Sequence, residues 1–324
     1  MNDQAHRLSR WKRARAHLET MALRVVVWLM PKLPRRAVVG MGRTLGGLGY
    51  HFAGELRRVV LANLDVAFGD TKSPGEKRRI ARASFQNASG TLLGLFWSPR
   101  LTAANLGQFI EVDPAGWEQV QAIAARGRGL IFVVLHYGDW ELLGLATGLL
   151  GMPATLVTED MRNTAAQEIL SRLRARTGHQ VVSQRFAAMK LLKALRHGGC
   201  IALLVDLNAT RQGGGVWVDF FGLPVFNNAL AAGLALRSGA ALVGAVALPQ
   251  PDGRCRLVYG PEITYTVTGD KAADLQAISQ KCLRYCEQVV RERPDGWLWA
   301  YKRWRHSPTP DRKGYPFYTT FFGP

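Results

Sequence analysis

From residue 129 onward the chain carries short, wholly apolar runs of the kind a strand shows when both of its faces are buried. They fall at 129–135 (GLIFVVL), 154–158, 180–183, 200–205 and 241–248. Helically patterned segments separate several of them, notably 163–176 and 185–197, and Gly198-Gly199 stops the second before the next strand. This alternation predicts an α/β core with a largely parallel mixed sheet flanked by helices. Strands at 216–221 and 255–259 and a long closing helix at 271–293 complete the expected domain.

The first third reads differently. Residues 57–68 and 73–97 have helical periodicity, and Ser73-Pro74 with Glu76 supplies an N-cap, an N1 proline and the third-position acid of a capping box. Residues 37–54 are apolar and punctuated by glycines, which permits close helix contacts. Residues 8–30 place Arg10, Lys12, Arg13 and Arg15 beside Leu8, Trp11, Leu18, Met21, Val25, Trp28 and Leu29. That is the pattern of a helix lying in a membrane interface, and equally of a basic helix whose apolar stripe packs on the protein body. Arg24 and Pro31 cut the apolar run too short to span a bilayer, and Glu19 and Arg24 spoil a signal-peptide reading.

With 324 residues, 48% hydrophobic and 20% charged, the chain is able to bury a large core, which excludes disorder as its main description. Its formal charge is +18, and residues 1–105 carry +12 of it. A polyanionic partner is expected: nucleic acid, an anionic membrane surface or an acidic carrier protein. Cys200, Cys255, Cys282 and Cys286 have no metal or disulfide spacing and read as reduced thiols.

The chemistry concentrates at Leu135-His136-Tyr137-Gly138-Asp139-Trp140-Glu141, directly after the first buried run. Ligand sites of parallel α/β sheets lie beyond the carboxyl ends of strands, so an imidazole there is placed for catalysis. The His-x4-acid spacing lets Glu141, one turn into the next helix, fold back on the imidazole, hold one tautomer and stabilise the imidazolium. Two other readings stay open: Asp139 or Glu141 serving the helix N-terminus beside a structural histidine, and His136, Asp139 and Glu141 as metal ligands. No GxSxG elbow or comparably placed cysteine is present, so a substrate hydroxyl would be the nucleophile. The C-terminal run Trp297, Trp299, Tyr301, Lys302, Arg303, Trp304, Arg305 mixes aromatics and cations as an interfacial belt, a nucleic-acid stacking surface or a buried strand would.

Several blocks occur together in order: Arg57-Arg58 with Asn63-Leu64 and Phe68, His136-x4-Glu141, Arg162-Asn163, Arg172-Leu173-Arg174-Ala175-Arg176-Thr177-Gly178, Asp206, Phe220-Phe221-Gly222-Leu223-Pro224, and Trp297-Leu298-Trp299 through Arg303. On these the chain, over about residues 57–306, resembles the bacterial lipid A biosynthesis acyltransferases of the lauroyl/myristoyl-transferring type, within the lysophospholipid acyltransferase-like superfamily. The resemblance implies transfer of a fatty acyl group from acyl carrier protein, or coenzyme A, to a hydroxyl of a glycolipid. A lipid A precursor is the favoured acceptor, at the cytoplasmic face of the inner membrane, with no metal or organic cofactor and no nucleic acid. It maps His136 to the general base, Glu141 to its acidic partner and Arg174 to a phosphate or oxyanion contact. Asp139, Arg162, Asn163 and Asp206 are assigned to substrate binding, and Phe220 and Phe221 to the wall of an acyl channel. Residues 1–56 are then a membrane-associating segment, peripheral or monotopic, and residues 57–324 the acyltransferase domain with 57–105 as its helical lead-in. The chain departs from the family at Leu207, where many members have Gln, at Asn227-Asn228, in place of a small hydroxyl pair, and in its weak N-terminal anchor. These departures bear on the acceptor more than on the reaction.

Overall fold

The computed structural model describes residues 2–322 apart from 159, 186, 211, 212 and 251, with side chains from residue 14 onward. Leu8, Arg10, Trp11, Lys12 and Arg13 of the proposed interfacial pattern therefore lie outside the described side chains. Four helices open the chain: α1 (Asn2–Leu29), α2 (Arg35–Phe52), α3 (Gly54–Phe68) and α4 (Pro74–Trp97). The capping box at the start of α4 forms as expected, with the Ser73 hydroxyl accepting from the Glu76 amide and the Glu76 carboxylate accepting from the Ser73 amide. Glycines let α2 lie against α4, since a Cβ on Gly42 would meet the Gly90 backbone at 2.7 Å and one on Gly46 the Gln86 backbone at 2.4 Å.

The remaining elements are β1 (Ile110–Val112), α5 (Pro114–Ala124), β2 (Leu130–Gly138), α6 (Trp140–Leu149), β3 (Ala154–Thr158), α7 (Thr164–Ala175), β4 (Gln180–Ser183), α8 (Ala187–Arg196), β5 (Cys200–Leu204), β6 (Gly215–Phe220), β7 (Leu223–Asn228), α9 (Leu230–Ser238), β8 (Ala241–Pro249), β9 (Cys255–Glu262), α10 (Lys271–Glu292), β10 (His306–Ser307) and β11 (Thr320–Phe321). Seven strands form one sheet in the order β1-β9-β8-β2-β5-β3-β4, parallel throughout except where β8 meets β9. This is the expected α/β class, with a mostly parallel mixed sheet between helices.

β2 lies within the sheet and is apolar because both its faces are covered. Ile131, Val133 and Leu135 face a core shared with α3, α8, α9 and α10, whereas Leu130, Phe132 and Val134 face one shared with α6, the end of α4 and the inner side of α1. Fully burying a side chain of this size contributes about 1.5–3 kcal/mol. β6 and β7 form a separate hairpin joined by Phe221 (φ 53°) and Gly222 (φ 78°), the paired left-handed residues of a two-residue hairpin turn.

The C-terminal aromatic run is neither belt nor stacking surface. Trp297, Trp299 and Trp304 are fully buried, with Trp297 edge-on to Phe220 and to Trp299 and with Trp304 stacked on Phe220, so neither lipid nor bases reach them. They sit on an irregular segment instead of a regular strand, held by Asn63 Nδ2 donating to the Trp299 and Tyr301 carbonyls at 2.8 Å each and by Ser84 Oγ donating to the Trp297 carbonyl at 2.6 Å. Among the described residues no helix is long and apolar enough to cross a membrane.

Candidate active site

The site forms where β2, β3 and β5 end. Strand β2 runs on to Gly138, which turns with φ +57° against β8. A Cβ there would lie 1.7 Å from the Ala247 carbonyl oxygen, so the turn needs glycine. Asn87 Nδ2 and Thr91 Oγ1 of α4 both donate to the Gly138 carbonyl at 2.9 Å, and Leu298 N donates to the His136 carbonyl at 2.9 Å. The backbone from His136 to Gly138 is fixed by these contacts.

The imidazole is held by Asp206, just past the end of β5. Nδ1 lies 2.9 Å from Asp206 Oδ1, while Oδ2 accepts from the His136 amide at 2.9 Å and from Trp297 Nε1 at 2.8 Å. An ionised carboxylate only accepts, so the ring proton belongs on Nδ1 and Nε2 keeps its lone pair. Burial pulls the imidazole pKa down, but the charge and hydrogen bond of Asp206, with the charge of Glu141 behind them, outweigh it and leave the pKa raised. Burial likewise pushes Asp206 up, and the imidazole charge and the N–H donors reverse this and hold its carboxyl below the ordinary value. The two shifts agree: the pair favours an imidazolium beside a carboxylate.

Glu141 does not fold back on the imidazole to hydrogen-bond it. Its carboxylate is gripped by Arg174 of α7 through two parallel contacts, Nε to Oε2 at 2.9 Å and NH2 to Oε1 at 2.6 Å. A guanidinium fork matches a carboxylate in two places and satisfies it more fully than one ring nitrogen would. Burial would lower the Arg174 pKa, but the Glu141 contacts raise it overall. Asp139 is the N-cap of α6, accepting from Leu142 N at 3.2 Å and from Arg35 NH2 at 3.2 Å. Burial raises its pKa despite Arg35. Among the described residues no group of three or more His, Cys, Asp or Glu is placed to hold a metal ion.

The profile of the bacterial lipid A biosynthesis acyltransferase family matches residues 9–306. The chain belongs to this family. It is therefore an acyltransferase. It is 25% identical over 292 residues to the lipid A biosynthesis lauroyltransferase of Escherichia coli (strain K12), covering 87% of this chain and 90% of that protein. It is also similar to phosphatidylinositol mannoside acyltransferases, at 28% identity over 240 residues with that of Mycolicibacterium smegmatis (72% of this chain, 75% of the relative) and 26% over 214 residues with that of Mycobacterium tuberculosis (65% of each).

The other residues singled out from the sequence of this acyltransferase divide into two groups. Arg162 is exposed on the loop after β3. Asn163 caps α7, accepting from Ala166 N at 3.1 Å, and its amide donates to the Ala16 carbonyl and Thr20 Oγ1 of α1 at 3.1 Å each, so it tethers α1 to the domain. Phe220 and Phe221 are core, with Phe220 stacked on Trp304 and edge-on to Trp297. Phe220 backs the indole that holds Asp206, and Phe221 packs on Trp299 and Trp304.

Sequence reasoning gave no role to several residues of this layer. Arg303 is wholly buried, with NH1 on Asn208 Oδ1 at 3.0 Å and NH2 on Asn227 Oδ1 at 2.5 Å. Burial lowers its pKa against the pull of Asp206. Asn227, one of the departures from the family pattern, is thus an acceptor for this arginine. The signal available in the sequence was the family block ending at Arg303.

Proposed function

We propose that the chain transfers a fatty acyl group from a carrier thioester, acyl carrier protein or coenzyme A, to a hydroxyl of a glycolipid, with His136 as general base and Asp206 as the carboxylate that orients it. The observation that carries the reading is the Asp206 bond to Nδ1 at the ends of the sheet strands, in a chain of an acyltransferase family. In the reaction the acceptor hydroxyl attacks the thioester carbonyl while Nε2 takes its proton. The tetrahedral intermediate then breaks its C–S bond, and the imidazolium returns the proton to the leaving thiolate. Asp206 keeps its charge throughout and stabilises the imidazolium. Glu141 adds negative potential beside the ring and fixes Arg174, whose guanidinium is the cation nearest this acid and the candidate contact for a phosphate or oxyanion. A lipid A precursor is the favoured acceptor, by analogy with the lauroyltransferase relative; the mannoside acyltransferases keep other glycolipids open.

Membrane association belongs to the same proposal. Leu18, Met21, Val25 and Trp28 form an exposed stripe on α1, opposite Thr20, Leu23, Val27 and Met30 that pack inward, and Met41, Leu45, Leu48 and Phe52 form a second on α2. Trp28 is 65% and Phe52 84% exposed, with the Lys32 ammonium 3.0 Å over one face of the Trp28 ring. The N-terminal positive charge favours an anionic surface, which fits the cytoplasmic face of the inner membrane for a peripheral or monotopic enzyme.

The test is His136→Ala, assayed with acyl carrier protein thioester and a glycolipid acceptor, product and free fatty acid being read together. Transfer should fall by roughly 10²–10⁴ with the fold intact. Wild-type transfer by the folded variant, or release of free fatty acid in place of acylated lipid by the wild type, refutes the reading.

A further inference from the structure

A cavity of about 250 Å³ lies on the β8 side of the β2 terminus, away from β5 and α7, which deliver Asp206 and Arg174, and neither these two residues nor His136 or Glu141 lines it. Its walls come from α2, α4, the end of β2, the β8–β9 turn and the segment after α10, and three of them supply guanidinium groups: Arg35 and Arg43 from α2, Arg254 from the turn, and Arg293 after α10. Two carboxylates face these four cations, Asp139 and Asp295. Asp139 is committed to Arg35 and to the α6 N-terminus. Arg35 nevertheless keeps a buried Nε with no hydrogen-bond partner. The Arg254 guanidinium is tied through Nε, at 2.7 Å from Asp252 Oδ2. Among the described residues no ion pair engages the guanidinium of Arg43 or of Arg293.

We propose that this cavity is a second ligand site, which takes a phosphate group, carried either by a soluble phosphate ester or by a lipid headgroup. Several guanidinium forks converging on one space match a tetrahedral anion with three or four acceptor oxygens, whereas a carboxylate would engage only one of them bidentately. The volume holds a phosphate with a short ester substituent and far exceeds the roughly 30 Å³ share of a water molecule. The cavity also touches the turn that carries the imidazole, for Asp139, Thr91 and Asn87 line it, and the last two hold the Gly138 carbonyl. A phosphate bound there bears on the back of that turn without meeting the reacting groups. The proposal does not depend on the role given to His136.

The test is calorimetric titration of the full chain with inorganic phosphate, at constant ionic strength, and separately with vesicles containing phosphatidylglycerol. Wild type should bind one inorganic phosphate saturably. The double variant Arg43→Gln/Arg293→Gln should weaken this by about tenfold or more. Gly90→Leu should abolish it, since a Cβ on Gly90 meets nothing within 4 Å and the side chain would fill the cavity without removing a charge. In a helix interior that change also improves helix propensity, and circular dichroism with chemical denaturation checks that the α2–α4 contact between Gly42 and Gly90 survives it. Arg196→Gln, at the exposed end of α8, and His136→Ala should bind as wild type. If Gly90→Leu also lowers vesicle affinity, the phosphate belongs to a lipid headgroup; if vesicle affinity is unchanged, it belongs to a soluble ester. Absence of saturable phosphate binding by the wild type, or equal binding by Gly90→Leu, overturns the proposal.

Discussion

Replacing Asp206 by Asn changes one atom of a side chain that accepts from three N–H groups, His136 N, His136 Nδ1 and Trp297 Nε1. The amide has one oxygen left. It keeps the backbone amide and the indole that Oδ2 serves in the wild type, and the NH2 group, standing in the place of Oδ1, donates to Nδ1, driving the imidazole proton to Nε2. That is the nitrogen required to accept the proton of the attacking hydroxyl, so the variant holds the wrong tautomer as well as lacking the charge that stabilises the imidazolium. The expected loss is about 10³- to 10⁴-fold in kcat/KM, or roughly 4–5.5 kcal/mol of barrier. One buried donor without its acceptor should cost only about 1–3 kcal/mol of stability, so the protein still folds. The pH profile tells this mechanism from a merely structural one. In the wild type kcat/KM should rise with pH as the imidazolium loses its proton, with a midpoint above the ordinary 6.5 because Asp206 raises the pKa. In Asp206→Asn the main upward influence is gone while burial, which pulls down, remains, so the midpoint should move to lower pH as the rate falls. Acyl transfer to radiolabelled acceptor, followed from pH 5 to 9 with circular dichroism as the folding control, measures both. A folded variant with wild-type turnover, or a midpoint that moves upward, refutes the pairing.

The Glu141–Arg174 contact makes a second prediction: in chemical denaturation, Glu141→Ala and Arg174→Ala should couple by about 1–3 kcal/mol, whereas Glu141→Ala and Asp206→Ala, which share no hydrogen bond, should be nearly additive. Equal coupling in both cycles would contradict it. Deleting residues 1–30 should release much of the protein from anionic vesicles, and Leu45→Asp with Phe52→Asp should release more, since each large apolar side chain buried in the interface contributes about 1.5–3 kcal/mol. Co-sedimentation reads this, and undiminished binding by the combined variant would remove α1 and α2 as the contact. Finally, kcat/KM with acyl carrier protein should fall as salt rises through roughly 0.05–0.3 M, where the screening length drops below about 10 Å, and a salt-independent rate would argue against an acidic donor.

Much of the sheet was legible because its strands are buried on both faces and therefore apolar without interruption. The expected runs 154–158 and 180–183 coincide with β3 and β4, and 129–135 lies within β2 apart from its first residue. β1 and β7 escaped notice for opposite reasons. β1 is three residues long at the sheet edge, and β7 contains Pro224, which a two-stranded hairpin tolerates, and Asn227-Asn228, of which Asn227 is buried as the acceptor for Arg303, so an apolar-run criterion passes over it. The tryptophan segment was ambiguous because composition does not report burial. Its cations lie beside its aromatics in sequence, yet Arg303 points inward to amide oxygens, and Phe220 packs on Trp297 and Trp304.

The position of His136 was equally legible, since a turn glycine after an apolar run marks the end of a strand, but its partner was not. A spacing rule considers only one helix. It expected Glu141 one turn into the helix; Glu141 is the second residue of α6, close enough for its charge to raise the imidazole pKa. It carried no information about α7, whose Arg174 arrives from 33 residues away to claim both carboxylate oxygens. Nor could it weigh Asp206, 70 residues distant, which the parallel pairing of β5 with β2 brings level with the histidine. Register decides the matter: Val134 pairs with Leu204, so two residues farther along each strand His136 and Asp206 emerge side by side at the carboxyl edge. The Val205 amide donating to the Val134 carbonyl at 2.9 Å carries the ladder that far. An acid two residues beyond a buried strand that neighbours the histidine's own strand is thus a stronger candidate for orienting the ring than an acid at helical spacing, because the sheet fixes its distance while a helical side chain remains free to find a better partner.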